Sequence, residues 1–255
     1  MIIKIEKERE ILREGGKRLA KVLETVAKSV RAGVSVKELD EIAHKMIING
    51  GDKPAFLNYQ PDGAKFPYPA SLCVSINDEV VHGIPTEDRI LKNGDIVSLD
   101  CGLQHKGIFT DHAITLIVGG RGKKEDMELL EVTRQALQAG IDAAIAGNTT
   151  GDIGFAVESV IKPYGFGIVR ILAGHGLGYN VHEEPFVPNC GRAGEGVALK
   201  EGLVIAIEPM INLGSGAVTL GGDGYTYKTR DGLKSAHFEH TVIVGKGSAE
   251  VVTKS

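Results

Sequence analysis

Apolar positions recur at helical spacing in four stretches of the chain. Leu12, Leu19, Leu23, Val26 and Val30 share one face of a segment running from about Glu8 to Val30, which predicts a long amphipathic helix. A second helix is predicted from Ser35, where Glu38 three positions on completes a capping box. Val36, Leu39, Ala43 and Met46 form its buried stripe, and Gly50-Gly51 end it. The plan then returns: one helix from about Lys124 to Ile145, another from about Thr150 to Lys162, stopped by Pro163. Between the helices lie short apolar runs of strand character. The clearest are Ile96-Val97-Ser98-Leu99-Asp100-Cys101-Gly102 and, after a turn, Ile108-Phe109-Thr110-Asp111-His112-Ala113-Ile114-Thr115-Leu116.

The return of the plan is visible residue by residue. Ala32-Gly33-Val34-Ser35 matches Ala146-Gly147-Asn148-Thr149, and Leu39, Ala43 and Ile47 match Ile153, Val157 and Ile161. Gly94-Asp95-Ile96-Val97-Ser98-Leu99-Asp100 matches Gly202-Leu203-Val204-Ile205-Ala206-Ile207-Glu208. The offset shifts from 146 − 32 = 114 to 202 − 94 = 108, so a six-residue length difference lies between the matches. The expectation is one domain over residues 1–255, with two pseudo-symmetric halves at roughly 5–120 and 121–245.

Against this pattern, charged residues stand out inside apolar runs. Asp100, Asp111, Glu208 and Glu239 lie in or beside strand-like segments, and His175 sits in Ala173-Gly174-His175-Gly176-Leu177-Gly178. A two-residue turn at His105-Lys106 would place Asp100 opposite Asp111, since 100 + 111 = 105 + 106; Gly107 hints at a bulge that would offset the pair. By the repeat, Glu239 would face Glu208 in the same way. Like charges opposite each other destabilise a sheet, and a buried unpaired carboxylate costs several kcal/mol. Two divalent cations would cancel four carboxylates. Oxygen-rich ligation with one imidazole suits Mn, Fe, Co or Zn, and the ligand types do not choose among them. A single acid of this kind is usually a salt bridge or a turn cap; four acids and a histidine together are poorly explained that way.

The remaining chemistry narrows the picture. Formal charge is 29 − 33 = −4, which gives no global case for nucleic-acid binding. No apolar run approaches the ~20 residues of a membrane span, and no signal-peptide core is found near Met1. Thirty-four glycines make about 13%, nearly twice the usual ~7%, so tight turns and close backbone approaches are expected. Cys73, Cys101 and Cys190 cannot all pair and show no zinc spacing, which fits a reducing cytoplasm. The Gly-x-Gly-x-Gly run around His175 lacks dinucleotide spacing, and His182-Glu183-Glu184-Pro185 is not a zinc helix, because no second His follows and Pro185 argues against a helix. His82 and His182 are candidate proton-handling imidazoles beside a metal centre. His44, His105, His112, His237 and His240 are read as ordinary structural histidines, although His237 would share a strand face with Glu239.

Four runs at these spacings resemble the type I methionine aminopeptidases of the pita-bread metallopeptidase fold. They are Cys73-Val74-Ser75-Ile76-Asn77-Asp78-Glu79-Val80-Val81-His82-Gly83-Ile84-Pro85, Gly174-His175-Gly176-Leu177-Gly178 with His182-Glu183-Glu184-Pro185, Ile207-Glu208-Pro209-Met210, and Phe238-Glu239-His240-Thr241. The resemblance covers about residues 3 to 245. It implies an α+β fold with an antiparallel sheet core flanked by helices. It maps the family's metal ligands onto Asp100, Asp111, His175, Glu208 and Glu239, and its catalytic histidines onto His82 and His182. Its methionine pocket falls on Cys73, Tyr68, Phe56, Tyr59 and Tyr225, with Asp62-Gly63-Ala64-Lys65 read as part of an inserted loop. Tyr225 stands where bacterial members often have Trp, and Val181 where an aromatic is usual.

The implied reaction is removal of the initiator methionine from nascent polypeptides, with a small second residue preferred, using two divalent ions. Metal coordination would lower the pKa of an attacking water. Glu208 would carry the proton to the leaving amine, His182 would polarise the carbonyl, and His82 would contact the amide nitrogen side. A cytoplasmic monomer is expected. Basic residues near the start, Lys4, Lys7, Arg9 and Arg13 among them, could face a ribosome, although their acidic neighbours fit a solvated helix face better. The rivals are an Xaa-Pro-cleaving enzyme of the same fold, which usually carries an extra N-terminal domain, and a non-catalytic binding domain, which should lack the ligands.

Overall fold

The computed structural model describes residues 1–254. The first two helical stripes form α1 (Glu6–Ser29) and α2 (Val36–Asn49). Leu12, Leu19, Leu23 and Val26 are buried on α1, and Val36, Leu39 and Ala43 on α2; Val30 and Met46 lie half-buried at the edges of the stripes. The Ser35 hydroxyl accepts from the Glu38 N–H while the Glu38 carboxylate accepts from the Ser35 N–H. Such a cap satisfies otherwise orphaned donors and is worth about 1 kcal/mol. The second half supplies α3 (Lys124–Ala143) and α4 (Thr150–Ile161), and Thr149 with Asp152 repeats the same reciprocal cap. A short 3₁₀ turn containing Pro163 closes α4. The segments entering α2 and α4 also make equivalent antiparallel bridges, Ser35 to Ile90 and Thr149 to Ala198.

The strands that position the site are β1 (Leu72–Ile76), β2 (Ile96–His105), β3 (Ile108–Ile117), β4 (Gly174–Gly176), β5 (Glu183–Val187), β6 (Val204–Ile207) and β7 (Glu239–Ile243). Among the described residues they belong to one nine-stranded antiparallel sheet ordered β2-β3-β7-β6-β4-β5. β1 and the short strand Lys53–Pro54 share the outer edge of β2, and Glu250–Val251 joins β7. Side chains alternate along a strand. Val97, Leu99, Cys101 and Leu103 therefore pack into one buried cluster with α1 and α2, while Ser98, Asp100 and Gly102 face the other way. In the second half, Ile205, Ile207 and Val242 join a cluster with α3 and α4. Helices cover one face of the sheet in each half, and the opposite face is left for polar side chains.

One expectation about register is corrected. The β2–β3 turn is Lys106-Gly107, not His105-Lys106, and the ladder runs unbroken from Ile96↔Ile117 to His105↔Ile108. Both turn residues are left-handed, at φ 47° and 87°, as a type I′ turn requires. Moving the turn by one residue shifts every partner by two. Asp111 then stands opposite Gly102, and Asp100 opposite Ala113. Because the side-chain period is also two, both acids still share one face, as diagonal neighbours.

Candidate metal centre

The strand ladders bring the acids into line. Ala113 on β3 is paired with Asp100 on one side and with Glu239 on the other. The β7–β6 ladder pairs His240 with Ile207, so Glu208, the next residue, comes level with Glu239. Pro209 cannot donate to the ladder, and β6 ends at Ile207. His175 enters from β4 between two glycines that have no room for a side chain. A Cβ at Gly174 would lie 2.2 Å from the Ala206 carbonyl oxygen, and one at Gly176 the same distance from that of Glu184.

Asp111, His175 and Glu239 each present a ligand atom within 4.8 Å of the others. The His175 Nδ1–H donates to the Gly176 carbonyl at 2.8 Å, which leaves Nε2 as a lone pair, 3.5 Å from Glu208 Oε1. Fixing the tautomer from outside in this way is how metal-binding histidines are usually oriented. Burial pushes the carboxyls of Asp100, Glu208 and Glu239 well above the ordinary range, and the neighbouring acids add to it. Asp111 is pushed up to about 7 by burial, against a 3.0 Å hydrogen bond from the His112 N–H and its contact with Asp100. No Lys or Arg lines the cavity these residues surround, and Asp100 Oδ1 is buried with no partner among the described residues. A cluster of this kind is untenable as bare anions. Its oxygen-rich donors and single imidazole fit divalent cations of the Mn, Fe, Co and Zn type.

All twelve residues anticipated for the site line one cavity of about 90 Å³, room for several waters. His82 lines it half-buried, with φ 59°, a conformation that costs a non-glycine residue energy and concentrates at functional sites. Burial lowers its imidazole to about 4, with the nearby His182 adding to the shift. His182 stands at the mouth, edge-on to His175 at 4.3 Å between ring centres. Its outer edge is exposed, yet enough protein surrounds the ring to lower its pKa. Phe56, Tyr59, Tyr68, Cys73 and Tyr225 wall the apolar end, joined by Pro61 of the loop read as an insertion. Val181 packs behind this wall. Cys73 is paired with Asp100 across β1–β2, which puts it on the site face. The Tyr68 hydroxyl donates to the Gly83 carbonyl at 2.9 Å, and that of Tyr225 to the Phe66 carbonyl, so the wall is tied to the loop. A larger open groove of about 1060 Å³ beside α4 contains none of these residues.

One residue assigned an ordinary role lies against the cluster without lining the cavity. His237 is buried with its Nε2 3.5 Å from Glu208 Oε2, and neither ring nitrogen has a hydrogen-bond partner among the described residues. The available signal was its two-residue spacing from Glu239. His44, His105, His112 and His240 are tied elsewhere, to Ser71, Asp52, the Glu239 carbonyl and Thr253.

Acids and an imidazole gathered over the middle of such a sheet make a candidate divalent-metal centre. The chain belongs to metallopeptidase family M24, whose family model matches residues 10–246. It is 43% identical to the methionine aminopeptidase of Aquifex aeolicus over the whole of both chains. The crystal structure of methionine aminopeptidase from Thermotoga maritima superimposes with a TM-score of 0.95 at 37% identity, each chain fully covered. The prolidase from Pyrococcus horikoshii shares the fold at a TM-score of 0.77 and 22% identity, and this chain covers 64% of it. The pita-bread α+β architecture expected from the sequence is thus the one observed.

Proposed function

We propose that this chain removes the N-terminal methionine from nascent polypeptides, with a small second residue preferred, using two divalent ions. The observation that carries the reading is the joining of two halves in one cavity: a carboxylate-rich end that demands cations and an aromatic end with a cysteine. Sulfur and aromatic faces make favourable contacts with an unbranched thioether. Asp100, Asp111, His175, Glu208 and Glu239 would hold the ions, and Mn, Fe, Co and Zn all suit them. When bound, the ions supply Lewis acidity and an ionised water near neutral pH. Glu208 is the one carboxylate of the four that is not fully buried, which suits it to carry a proton from nucleophile to leaving amine. His182 would donate to the scissile carbonyl, and His82, kept neutral by burial, would meet the amide nitrogen side. Phe56, Tyr59, Tyr68, Cys73 and Tyr225 would enclose the methionine side chain.

The chain is proposed to act as a cytoplasmic monomer, one domain whose halves, roughly 5–120 and 121–245, derive from a duplication. No described helix is long and apolar enough to cross a membrane. The deciding experiment compares hydrolysis of Met-Ala-Ser and Ala-Pro-Ala with and without added Mn²⁺ or Co²⁺. Metal-dependent cleavage of the first alone supports the reading. Preference for the second would make the chain an Xaa-Pro enzyme, and metal-loaded protein inactive on both would make it a binding domain.

A further inference from the structure

Tyr59 carries two groups into the cavity, a ring and a hydroxyl. The ring is part of the wall proposed for methionine, and the hydroxyl oxygen lies 2.8 Å from Nδ1 of His182. The backbone holds it firmly. The Tyr59 N–H donates to the Phe56 carbonyl at 2.9 Å, and the Tyr59 carbonyl accepts from the Tyr68 N–H at 2.8 Å. We propose that the Tyr59 hydroxyl donates to His182 Nδ1 and so fixes the tautomer that leaves Nε2–H free for the cavity, making Tyr59 a positioning residue for the donor at the scissile carbonyl. The inference rests on the function proposed above.

Three observations set the direction of the bond. A phenol is the better donor and an imidazole nitrogen the better acceptor. Burial, aided by Asp62 and Tyr225, raises the Tyr59 phenol above its ordinary range, so it keeps its proton at neutral pH. The cavity is lined by four carboxylates and by no Lys or Arg; an N–H suits those surroundings, and a second lone pair does not. The neighbouring His175 supplies the contrast. Its Nδ1 faces a carbonyl, which can only accept, so its Nε2 is a lone pair. Two imidazoles 4.3 Å apart are thus given opposite tautomers by opposite partners, a carbonyl behind one and a hydroxyl behind the other. One is fitted to a cation and the other to an oxygen.

Tyr59→Phe keeps the wall and removes the hydroxyl. The expected result is a fall in kcat on Met-Ala-Ser of about tenfold, the scale of one hydrogen bond, with KM nearly unchanged. A role confined to the wall predicts the reverse: Tyr59→Phe neutral, and Tyr59→Ala altering KM and the Met-to-Leu preference. The second readout needs no turnover. Long-range ¹H–¹⁵N spectra of the metal-free, ¹⁵N-labelled protein report each histidine tautomer, with His182 assigned by the signal lost in His182→Gln. Nε2–H is expected in the wild type and a mixture in Tyr59→Phe. Nδ1–H in the wild type, or an unchanged kcat in Tyr59→Phe, overturns the proposal. Wild-type protein inactive on Met-Ala-Ser would instead overturn the function, with the tautomer still judged by the spectra.

Discussion

At the scale of single residues, the roles separate by what each side chain touches. His82 and His182 lie outside the cluster of acids, so His82→Ala and His182→Ala are expected to keep bound metal while turnover falls by roughly 10²–10³-fold, the usual cost of losing such a donor. Metal content measured beside kcat checks this, and a folded variant that has lost its metal would make that histidine a ligand. Gly102 offers a different test. A Cβ there would lie 2.7 Å from the Ala55 Cβ and 2.8 Å from the Phe56 ring. Gly102→Ala should therefore push Phe56 toward the pocket, raising KM for Met-Ala-Ser and costing about 1–3 kcal/mol of stability through overpacking. Kinetics and thermal melts together would show it; an unaffected KM would place Phe56 in the core alone. The acids were legible in the sequence because charge is conspicuous inside an apolar run. His237 was less so, since an imidazole in a strand is usually structural; its two-residue spacing from Glu239 was the local signal, and its approach to Glu208 is visible only in the fold. The Tyr59–His182 bond joins positions 123 apart, and no local pattern reports such a pairing.

At the scale of elements, helices were the most legible. The four stripes and the capping residues locate α1 to α4 to within about two residues at most ends, because burial and caps both leave local signatures. The β2–β3 register was read one turn residue too early. Both candidate turns hold two residues, and what decides between them is the backbone: Gly107 accepts a left-handed φ at little cost, and Lys106 tolerates one. The ladder of ten pairs then fixes Asp100 and Asp111 on one face. Gly107→Val is accordingly expected to cost about 1–2 kcal/mol, the penalty for forcing a side chain into that region. Metal stoichiometry should stay unchanged, since the ladder and not the turn holds the acids. A melting curve and a metal assay on the same sample test both halves of the statement; loss of metal would mean that the turn sets the register.

At the scale of the molecule, cations and stability are coupled. Without metal, the carboxyls of Asp100, Glu208 and Glu239 are held well above their ordinary range and Asp111 near 7. Between the unfolded values, about 4, and these raised ones, the native chain binds more protons than the unfolded chain. Its stability therefore falls as pH rises through that window. The buried His112 and the half-buried His82 and His240, lowered to about 3–4 chiefly by desolvation, act oppositely, losing stability as pH falls below about 6.5. Any part of this histidine contribution common to the loaded and chelated forms drops out of the difference between them. The melting-temperature gap between Mn²⁺-loaded and chelated protein should thus widen from pH 5 to pH 8, and a flat gap would mean that these acids are not the ligands. The order of the acids along the chain has a consequence in time. Asp100 and Glu239 flank the same alanine in space, yet they are 239 − 100 = 139 residues apart in sequence. At the usual pace of synthesis, that distance takes roughly 7–28 s to cover. Until Glu239 is made, the β2–β3 hairpin carries its two aspartates without the last acid of the cluster; if these acids hold the ions as proposed, ion capture would be a late event in the birth of the molecule, and the ion would act as a clasp between its first half and its last strands.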